Sequence, residues 1–404
     1  MIVLALNPGS SSLRFELLRG GPDAGGAIER LAGGRIGSIG ERARVRAGRG
    51  LERPLLGERE LDDHDAATGF ALRWLRDDAA PEAVHELDAA GVRVVRCARG
   101  RSVAPLSEAA LAELEDLARV APLHNAATVA VARAARAALG DGVPVLGVSD
   151  SAFHATMPEV ARSYALPREL CRRHGLERSG FHGLAVASVL ERFAAAGGAG
   201  PRIVVLHLGS GCSATAVLEG RSIDTSMGFS PLEGLVMATR SGDVDPALVP
   251  FLARAEGIDV EQVLALLNER SGLLGVSGRS ADMREILRAR AQDDRASALA
   301  FELFVHRARK HLAGMVTSLG GIDALVFSGG IGENSAEVRE AICAGLDFCG
   351  IALDPERNAA LAGEGAISPG GARVVVQVVA PDEELGIARA TLAHLAQRLA
   401  SKGP

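Results

Sequence analysis

One short pattern occurs twice in this chain, about 200 residues apart, and it restricts the folds available to the whole. Its first copy is the apolar run Ile2-Val3-Leu4-Ala5-Leu6, the small polar stretch Asn7-Pro8-Gly9-Ser10-Ser11-Ser12, and a second run in which Leu13, Phe15 and Leu17 alternate before Arg19-Gly20-Gly21. A buried strand, a tight turn and a second strand make a β-hairpin with a polar tip. Arg202-Ile203-Val204-Val205-Leu206-His207-Leu208-Gly209-Ser210-Gly211-Cys212-Ser213 repeats the pattern. Asn7 aligns with His207, Gly9 with Gly209, Ser10 with Ser210 and Gly20 with Gly220, and the second run again alternates at Ala214, Ala216 and Leu218. Two such hairpins half a chain apart imply duplicated domains facing one another across a cleft.

The tips carry anion chemistry. Glycine lets an anion reach backbone N–H groups, serine hydroxyls donate, and Asn7 can bind a phosphate oxygen or a metal-bound water. A chain of 404 residues is also long for one core and agrees with two domains. A net charge of -6 argues against nucleic acid or an anionic membrane as the main partner. No apolar run reaches the roughly 18 residues that span a bilayer, and Ile2 begins a strand with no charged leader before it, so the expected location is cytoplasmic. Cys97, Cys171, Cys212, Cys343 and Cys349 form no CxxC pair or Cys/His cluster, which leaves buried thiols rather than a disulfide framework or a zinc site.

Along the chain, residues 20–64 read as short strands and loops, 66–74 as an amphipathic helix, and 91–96 as a strand. Ser107 caps a helix with Leu111, Leu114 and Leu117 on one face, and an alanine-rich helix runs to about Leu139. Residues 143–148 form a strand ending in Ser149-Asp150-Ser151. Helices are expected at 158–170, 184–196, 246–268 with a break near Gly257, 294–318, 335–347 and 383–400, and strands at 203–206, 324–327 and 374–379. The mixture argues for α/β.

Several motifs narrow the chemistry. Gly209-Ser210-Gly211-Cys212-Ser213-Ala214 fits a dinucleotide fingerprint in letters only, because a strand-like run follows it where that fingerprint needs a helix. There is no G-x-x-x-x-G-K-[ST] loop. Ser328-Gly329-Gly330-Ile331-Gly332-Glu333-Asn334 is a better nucleotide candidate: it follows an apolar strand and opens a helix, where bare backbone can take a flat purine or ribose. Arg240, inside Thr239-Arg240-Ser241-Gly242-Asp243 in a long stretch without periodicity, has the setting of an anion-binding arginine.

Taken together, these residues resemble the acetokinase family, in the acetate and sugar kinase/Hsc70/actin fold group. The matching blocks are Asn7-Pro8-Gly9-Ser10-Ser11-Ser12, Ala121-Pro122-Leu123-His124-Asn125, Asp150-Ser151-Ala152-Phe153-His154 with Thr156-Met157-Pro158, and Gly180-Phe181-His182-Gly183. They continue through His207-Leu208-Gly209, residues 229–246, residues 329–334 and Glu383-Glu384-Leu385, in family order over nearly the whole chain. The resemblance implies a two-domain α/β fold with ribonuclease H-like duplicated domains, residues 1–150 with 385–404 forming one and 151–384 the nucleotide-binding other. It implies a homodimer, ATP/ADP as co-substrate, Mg2+ with Mn2+ as an alternative ion, and reversible transfer of the ATP γ-phosphoryl to acetate, giving acetyl phosphate. No nucleic acid or membrane partner is implied.

By position, the resemblance makes Asn7 and Glu383 the metal-side residues, Arg93 and Arg240 the arginines that hold carboxylate and phosphoryl, and Asp150 the active-site aspartate. His124 and His182 stand on the phosphoryl side. Val95, Leu123, Phe181 and Pro231 match the acyl pocket. Ser10, Ser12 and Arg14 lie on the nucleotide side with the serines toward the transferred group. His207, Leu208, Gly209, Ser210 and Gly211, then Asp282, Met283 and Arg284, then Gly330, Ile331, Gly332, Glu333 and Asn334 correspond to nucleotide contacts.

Acetate is already an anion at neutral pH and needs no general base, so Asp150 is expected to orient Arg240 or the metal's water shell rather than to accept a proton. An apolar pocket suits a methyl group, and one methylene changes discrimination by only about 1–3 kcal/mol, so propionate is an expected slower substrate. The chain departs from the family where Val92-Arg93-Val94-Val95-Arg96-Cys97-Ala98 replaces His-Arg-Val-Val-His-Gly-Gly, where Leu184-Ala185-Val186 follows Phe181-His182-Gly183, where Ser210 replaces an asparagine, and where Arg14 replaces a lysine. The rival readings are a propionate- or butyrate-type kinase and a nucleotide-binding relative that no longer transfers phosphate.

Overall fold

The computed structural model describes residues 1–21, 26–95, 102–116 and 122–401 of the chain, without the side chains of 122–125. It divides into two units, residues 1–152 with 382–404 and residues 153–381.

The first unit is built on an eight-stranded sheet: β1 (Ile2–Gly9), β2 (Ser12–Gly20), β3 (Ile28–Gly37), β4 (Arg42–Arg49), β5 (Leu55–Glu60), β6 (Ala89–Val94), β7 (Val103–Pro105) and β8 (Val145–Ser149). The spatial order is β5, β4, β3, β2, β1, β6, β8, β7. β1 to β5 form an antiparallel meander, while β6 and β8 run parallel to β1. Alternation along β1 and β2 turns Leu4, Leu6, Leu13, Phe15 and Leu17 into a core shared with Ala67, Ala71 and Leu72 of the helix His64–Trp74 and with Val129, Val131 and Ala132 of the helix Pro122–Leu139. The other face carries Val3, Ala5 and Asn7 and receives the helix Glu383–Ser401, whose buried stripe is Glu384, Ile387, Ala388, Thr391 and Leu392.

The second unit has six strands: β9 (Arg202–Leu208), β10 (Cys212–Leu218), β11 (Arg221–Thr225), β12 (Ala324–Ser328), β13 (Gly365–Ala366) and β14 (Val375–Val378), in the order β11, β10, β9, β12, β14, β13. β9, β10 and β11 are an antiparallel meander, and β12 and β14 run parallel to β9. The path β3, β2, β1, β6, β8 of the first sheet is thus traced again by β11, β10, β9, β12, β14. The repeated hairpin supplies the β2–β1 pair of one path and the β10–β9 pair of the other. Its two copies differ in the turn. Gly9 pairs with Ser12 across Ser10-Ser11, whereas Leu208 pairs with Cys212 across the three residues Gly209-Ser210-Gly211. The extra turn residue slides β10 by one position. Asn7 faces Arg14, but His207 faces Ser213, and the alternation of Ala214, Ala216 and Leu218 is therefore offset from that of β2.

Most of the remaining expectations match in kind. The segment 158–170 does not form one helix: Glu159–Arg162 and Arg168–His174 are separated by extended backbone. Ser163 makes a strand bridge with Glu177 there, and Pro167 starts the next helix. The helices Gly272–Ser277 and Met283–Arg290 were not expected from periodicity. Among the described residues no helix is long and apolar enough to cross a membrane.

Candidate active site

In the first unit, β1, β6 and β8 run parallel, and their carboxyl ends bring Asn7, Arg93 and Asp150 to one edge of the sheet. Such edges are where open α/β sheets bind ligands. Asp150 opens the 3-10 turn Asp150–Thr156 directly after β8 and is fully buried. Arg93 Nη2 donates to Asp150 Oδ2 at 2.7 Å. The arginine that Asp150 holds in this unit is thus Arg93. Asn7 Nδ2 donates to Glu383 Oε2 at 2.6 Å and to Glu384 Oε1 at 2.8 Å, both in the first turn of the last helix. Arg14, opposite Asn7 on β2, reaches Glu384 Oε1 at 3.8 Å.

The electrostatics of this group are coupled. Burial alone would pull the Arg93 guanidinium down, but Asp150, Glu383 and Glu384 outweigh it and hold Arg93 above the usual arginine range. Burial pushes the Glu384 carboxyl up; Arg14 works against that and Glu383 adds to it. Arg93 Nε is buried and has no hydrogen-bond partner among the described residues. A buried guanidinium with an unsatisfied N–H beside a carboxylate pair is suited to a carboxylate or phosphoryl oxygen. Val95, two residues on from Arg93, is buried. The side chains of Leu123 and His124 lie outside the described residues, as do Arg96, Cys97 and Ala98 of the altered loop. Ser10 is exposed and Ser12 half-buried at the first tip.

In the second unit, the carboxyl ends of β9 and β12 do the same work. His207 lies near the end of β9, and Ser328 Oγ stands 3.4 Å from its Nδ1. His182 holds a left-handed backbone, φ 59°, where it caps the helix Gly183–Ala195. Its Nδ1 lies 3.0 Å from Ser213 Oγ, and its ring stands 4.6 Å from that of His207. A Cβ on Gly211 would come within 3.1 Å of His182 Nε2 and 3.6 Å of Arg240 Nη1. The bare backbone of the second hairpin turn therefore separates a histidine and an arginine. Arg240 Nη1 donates to the Pro231 carbonyl at 3.3 Å, and the Ala238 N–H donates to the Ser210 carbonyl at 3.1 Å, tying the arginine's loop to the same turn.

The Gly-rich segment follows β12 as the short helix Gly329–Asn334. Gly329 has φ 78° and packs against Leu208, where a Cβ would stand 2.7 Å from the Leu208 carbonyl oxygen. Gly330 has open space, Gly332 is buried, Ile331 and Glu333 are half-buried, and Asn334 donates back to the Gly330 carbonyl at 2.9 Å. Asp282 caps the helix Met283–Arg290 and pairs with Arg284, while Met283 is buried. Phe181 is buried and its carbonyl lies 2.9 Å from His154 Nε2.

Four features escaped the sequence. Glu384, rather than Glu383, is the buried member of the acidic pair, and its place on the stripe with Ile387, Ala388 and Thr391 is the helical-periodicity signal that could have found it. Ser213 and Ser328 pair with the two histidines and carry no local signal. Arg178 donates to the carbonyls of Thr225, Ser226 and Met227, each at 3.1 Å, and pairs with Glu233, to which Tyr164 also donates at 2.6 Å. That clamp holds the loop carrying Pro231.

The model of the acetokinase family matches residues 2–389. The chain belongs to the acetokinase family. It is 44% identical to the acetate kinase of Streptomyces coelicolor over 98% of this chain and 97% of that one, and 41% identical to the acetate kinase of Solibacter usitatus over 97% and 98%. Among solved structures it resembles Porphyromonas gingivalis acetate kinase, with a TM-score of 0.83 at 37% identity over 98% of this chain and 99% of that one. It equally resembles a propionate kinase from Francisella tularensis, with a TM-score of 0.84 at 33% identity over 96% and 98%. The fold is the duplicated two-domain α/β fold of the acetate and sugar kinase/Hsc70/actin group.

Proposed function

We propose that this acetokinase is an acetate kinase, a phosphotransferase that moves the γ-phosphoryl of ATP to the carboxylate of acetate and returns it from acetyl phosphate to ADP. The observation that carries the reading is the buried Arg93–Asp150 pair, together with family membership over nearly the full chain. Phosphoryl transfer asks mainly for positioning and for cationic groups on oxygens that gain charge. Arg93, fixed by Asp150, presents a guanidinium to the acceptor carboxylate. Arg240 and His182 flank the Gly211 backbone and serve the transferred phosphoryl group, with His207 beside them. The segment 330–334 takes the nucleoside, and the tip at 209–211 takes its phosphates. Because acetate arrives ionised, no residue is asked to remove a proton, and Asp150 acts by holding Arg93.

The residues present fit magnesium. The amide of Asn7 and the carboxylates of Glu383 and Glu384 offer hard oxygen donors, and a cation beside the raised Glu384 carboxyl would favour its charged form. Among the described residues no group of three His, Cys, Asp or Glu forms a metal cage, and magnesium is commonly held by one or two carboxylates with substrate phosphates completing its shell. When bound, the ion neutralises phosphate charge.

A homodimer goes with this reading, and Leu248, Phe251 and Val260 on the successive helices Leu248–Glu256 and Val260–Glu269 are exposed apolar side chains. We place the enzyme in the cytoplasm because ATP is its proposed co-substrate. The likeness to a propionate kinase favours a second reading, the same chemistry on a longer acid. Trapping the acyl phosphate as its hydroxamate, with ATP, magnesium and acetate, propionate or butyrate in turn, separates the two. Highest kcat/KM on acetate supports the first reading, and a preference for propionate or butyrate replaces it with the second.

A further inference from the structure

A charged network that includes none of the residues assigned a role above lies buried in the first unit. Glu16, on the face of β2 that also carries Arg14, is 6% exposed. It pairs with Arg30 of β3 and with Arg53 of the β4–β5 turn, and Arg30 also pairs with Asp382. Two glycines make room for this. Glu16 faces Gly33 across β2 and β3, and Gly33 faces Gly48 across β3 and β4. A Cβ on Gly33 would stand 2.9 Å from Glu16 Oε1, and one on Gly48 would stand 2.3 Å from the Glu52 carbonyl oxygen. The side-chain-free row is a trough in which Arg53 lies, donating to the carbonyls of Gly50 and Glu52 at 2.7 Å each as it reaches Glu16.

The network ends at a sensitive place. Asp382 Oδ1 accepts from the Leu385 N–H at 3.2 Å and so caps the last helix, while its other oxygen takes Arg30. The next two residues are Glu383 and Glu384, which hold Asn7. Two adjacent carboxylates repel one another, and burial raises the cost of keeping them charged. Their orientation depends on how the first turn of that helix is held to the sheet: Asn7 and Arg14 hold the glutamates themselves, and Arg30 holds the Asp382 cap that precedes them.

We infer that Arg30, held by Glu16 and Arg53, is a positioning residue for the Glu383/Glu384 pair, acting through the Asp382 cap. It touches no substrate. The inference rests on the proposed magnesium-side role of Asn7, Glu383 and Glu384. Outer residues that orient metal ligands typically change metal affinity about 10–100-fold when removed.

The test uses full-length Arg30→Ala, Arg30→Lys and Glu16→Gln proteins. Mn2+ alone is titrated and the free ion followed by its EPR signal, beside steady-state kinetics against magnesium, ATP and carboxylate. Arg30→Ala should bind Mn2+ about 10-fold more weakly and need about 10-fold more magnesium for half-maximal rate, with KM for ATP and carboxylate at saturating magnesium within about two-fold of the wild type. Arg30→Lys should recover most of the affinity, because it restores a cation to Asp382. A folded Arg30→Ala protein with wild-type Mn2+ affinity overturns the inference. So does one in which all three KM values rise together, the mark of general loosening. If Arg30→Ala does not fold, Glu16→Gln decides: it keeps the side chain's size and removes the charge that holds Arg30, so weakened Mn2+ binding supports the inference and unchanged binding overturns it. A wild-type protein that binds Mn2+ but makes no acyl phosphate removes the enzymatic reading and leaves the positioning role standing. One that makes acyl phosphate but binds no Mn2+ alone removes the positioning role and leaves the enzyme.

Discussion

At the scale of single residues, Arg93 bears on both stability and turnover. Its partner Asp150 is fully buried, so truncating the arginine takes the guanidinium from a buried carboxylate. Arg93→Ala should destabilise the protein by about 3–5 kcal/mol, measured by denaturant unfolding, as well as abolishing turnover. Arg93→Lys keeps the charge and loses the fork, so most stability should survive while the carboxylate KM rises about 10-fold or more. Asn7 bonds two carboxylates at once, and Asn7→Ala should raise the magnesium needed for half-maximal rate and lower kcat with an unchanged far-UV spectrum; unchanged kinetics would remove the first hairpin from the site. Burial pushes the Cys212 and Cys343 thiols up to about 12. At pH 8 almost none of either is thiolate, so mass spectrometry after alkylation of the native protein should find both unmodified, and both labelled once the chain is denatured.

Among the elements, the irregular segment carrying Arg240 shows how a loop without periodicity is held. Asp243 Oδ1 accepts from the Gly234 N–H at 2.8 Å, and its Oδ2 lies 3.1 Å from His311 Nε2 on the helix Arg295–Ser318. Burial alone would raise the Asp243 carboxyl, but His311 and the Gly234 N–H outweigh it and hold the carboxyl below the usual aspartate range. A carboxyl lowered in the folded state contributes stability above its unfolded pKa of about 3.9, and that contribution is lost as pH falls through the lower folded value. Asp243→Asn should therefore lower Tm at neutral pH and narrow its gap to the wild type as pH drops below about 4. A gap that stays constant with pH would show that the carboxylate's charge is not what holds the loop. The same logic explains the αL backbone of His182: the strained residue is kept in place by Ser213 and by the helix it starts, and it leaves Nε2 beside Gly211.

Across the whole molecule, the repeat visible in the sequence is a repeat of topology, with β3, β2, β1, β6, β8 retraced by β11, β10, β9, β12, β14. It was legible because a hairpin is local, and its apolar alternation and polar turn lie within twenty residues of each other. The helix begun at Ser107 and the break at Gly257 were legible for the same reason, a capping hydroxyl and a left-handed glycine. The one-residue slide of β10 was not, since register is set by turn length in three dimensions and the two copies differ there by one residue. Nor could local signals reveal the partners of the site residues. Asn7 and Glu384 are 377 positions apart, and Arg93 and Asp150 meet only because β6 and β8 lie side by side. The resemblance to a family supplied the names of most site residues, and the structure supplied which of them touch.

The most direct test of the account runs the reaction toward ATP. Purified protein with acetyl phosphate, ADP and magnesium is followed by 31P NMR, which sees donor and product in one spectrum. The account predicts that acetyl phosphate disappears and the γ-phosphate of ATP appears one for one, and that Arg240→Ala loses both signals' change together. Loss of acetyl phosphate to inorganic phosphate with no ATP, or no loss above the uncatalysed rate, would contradict it.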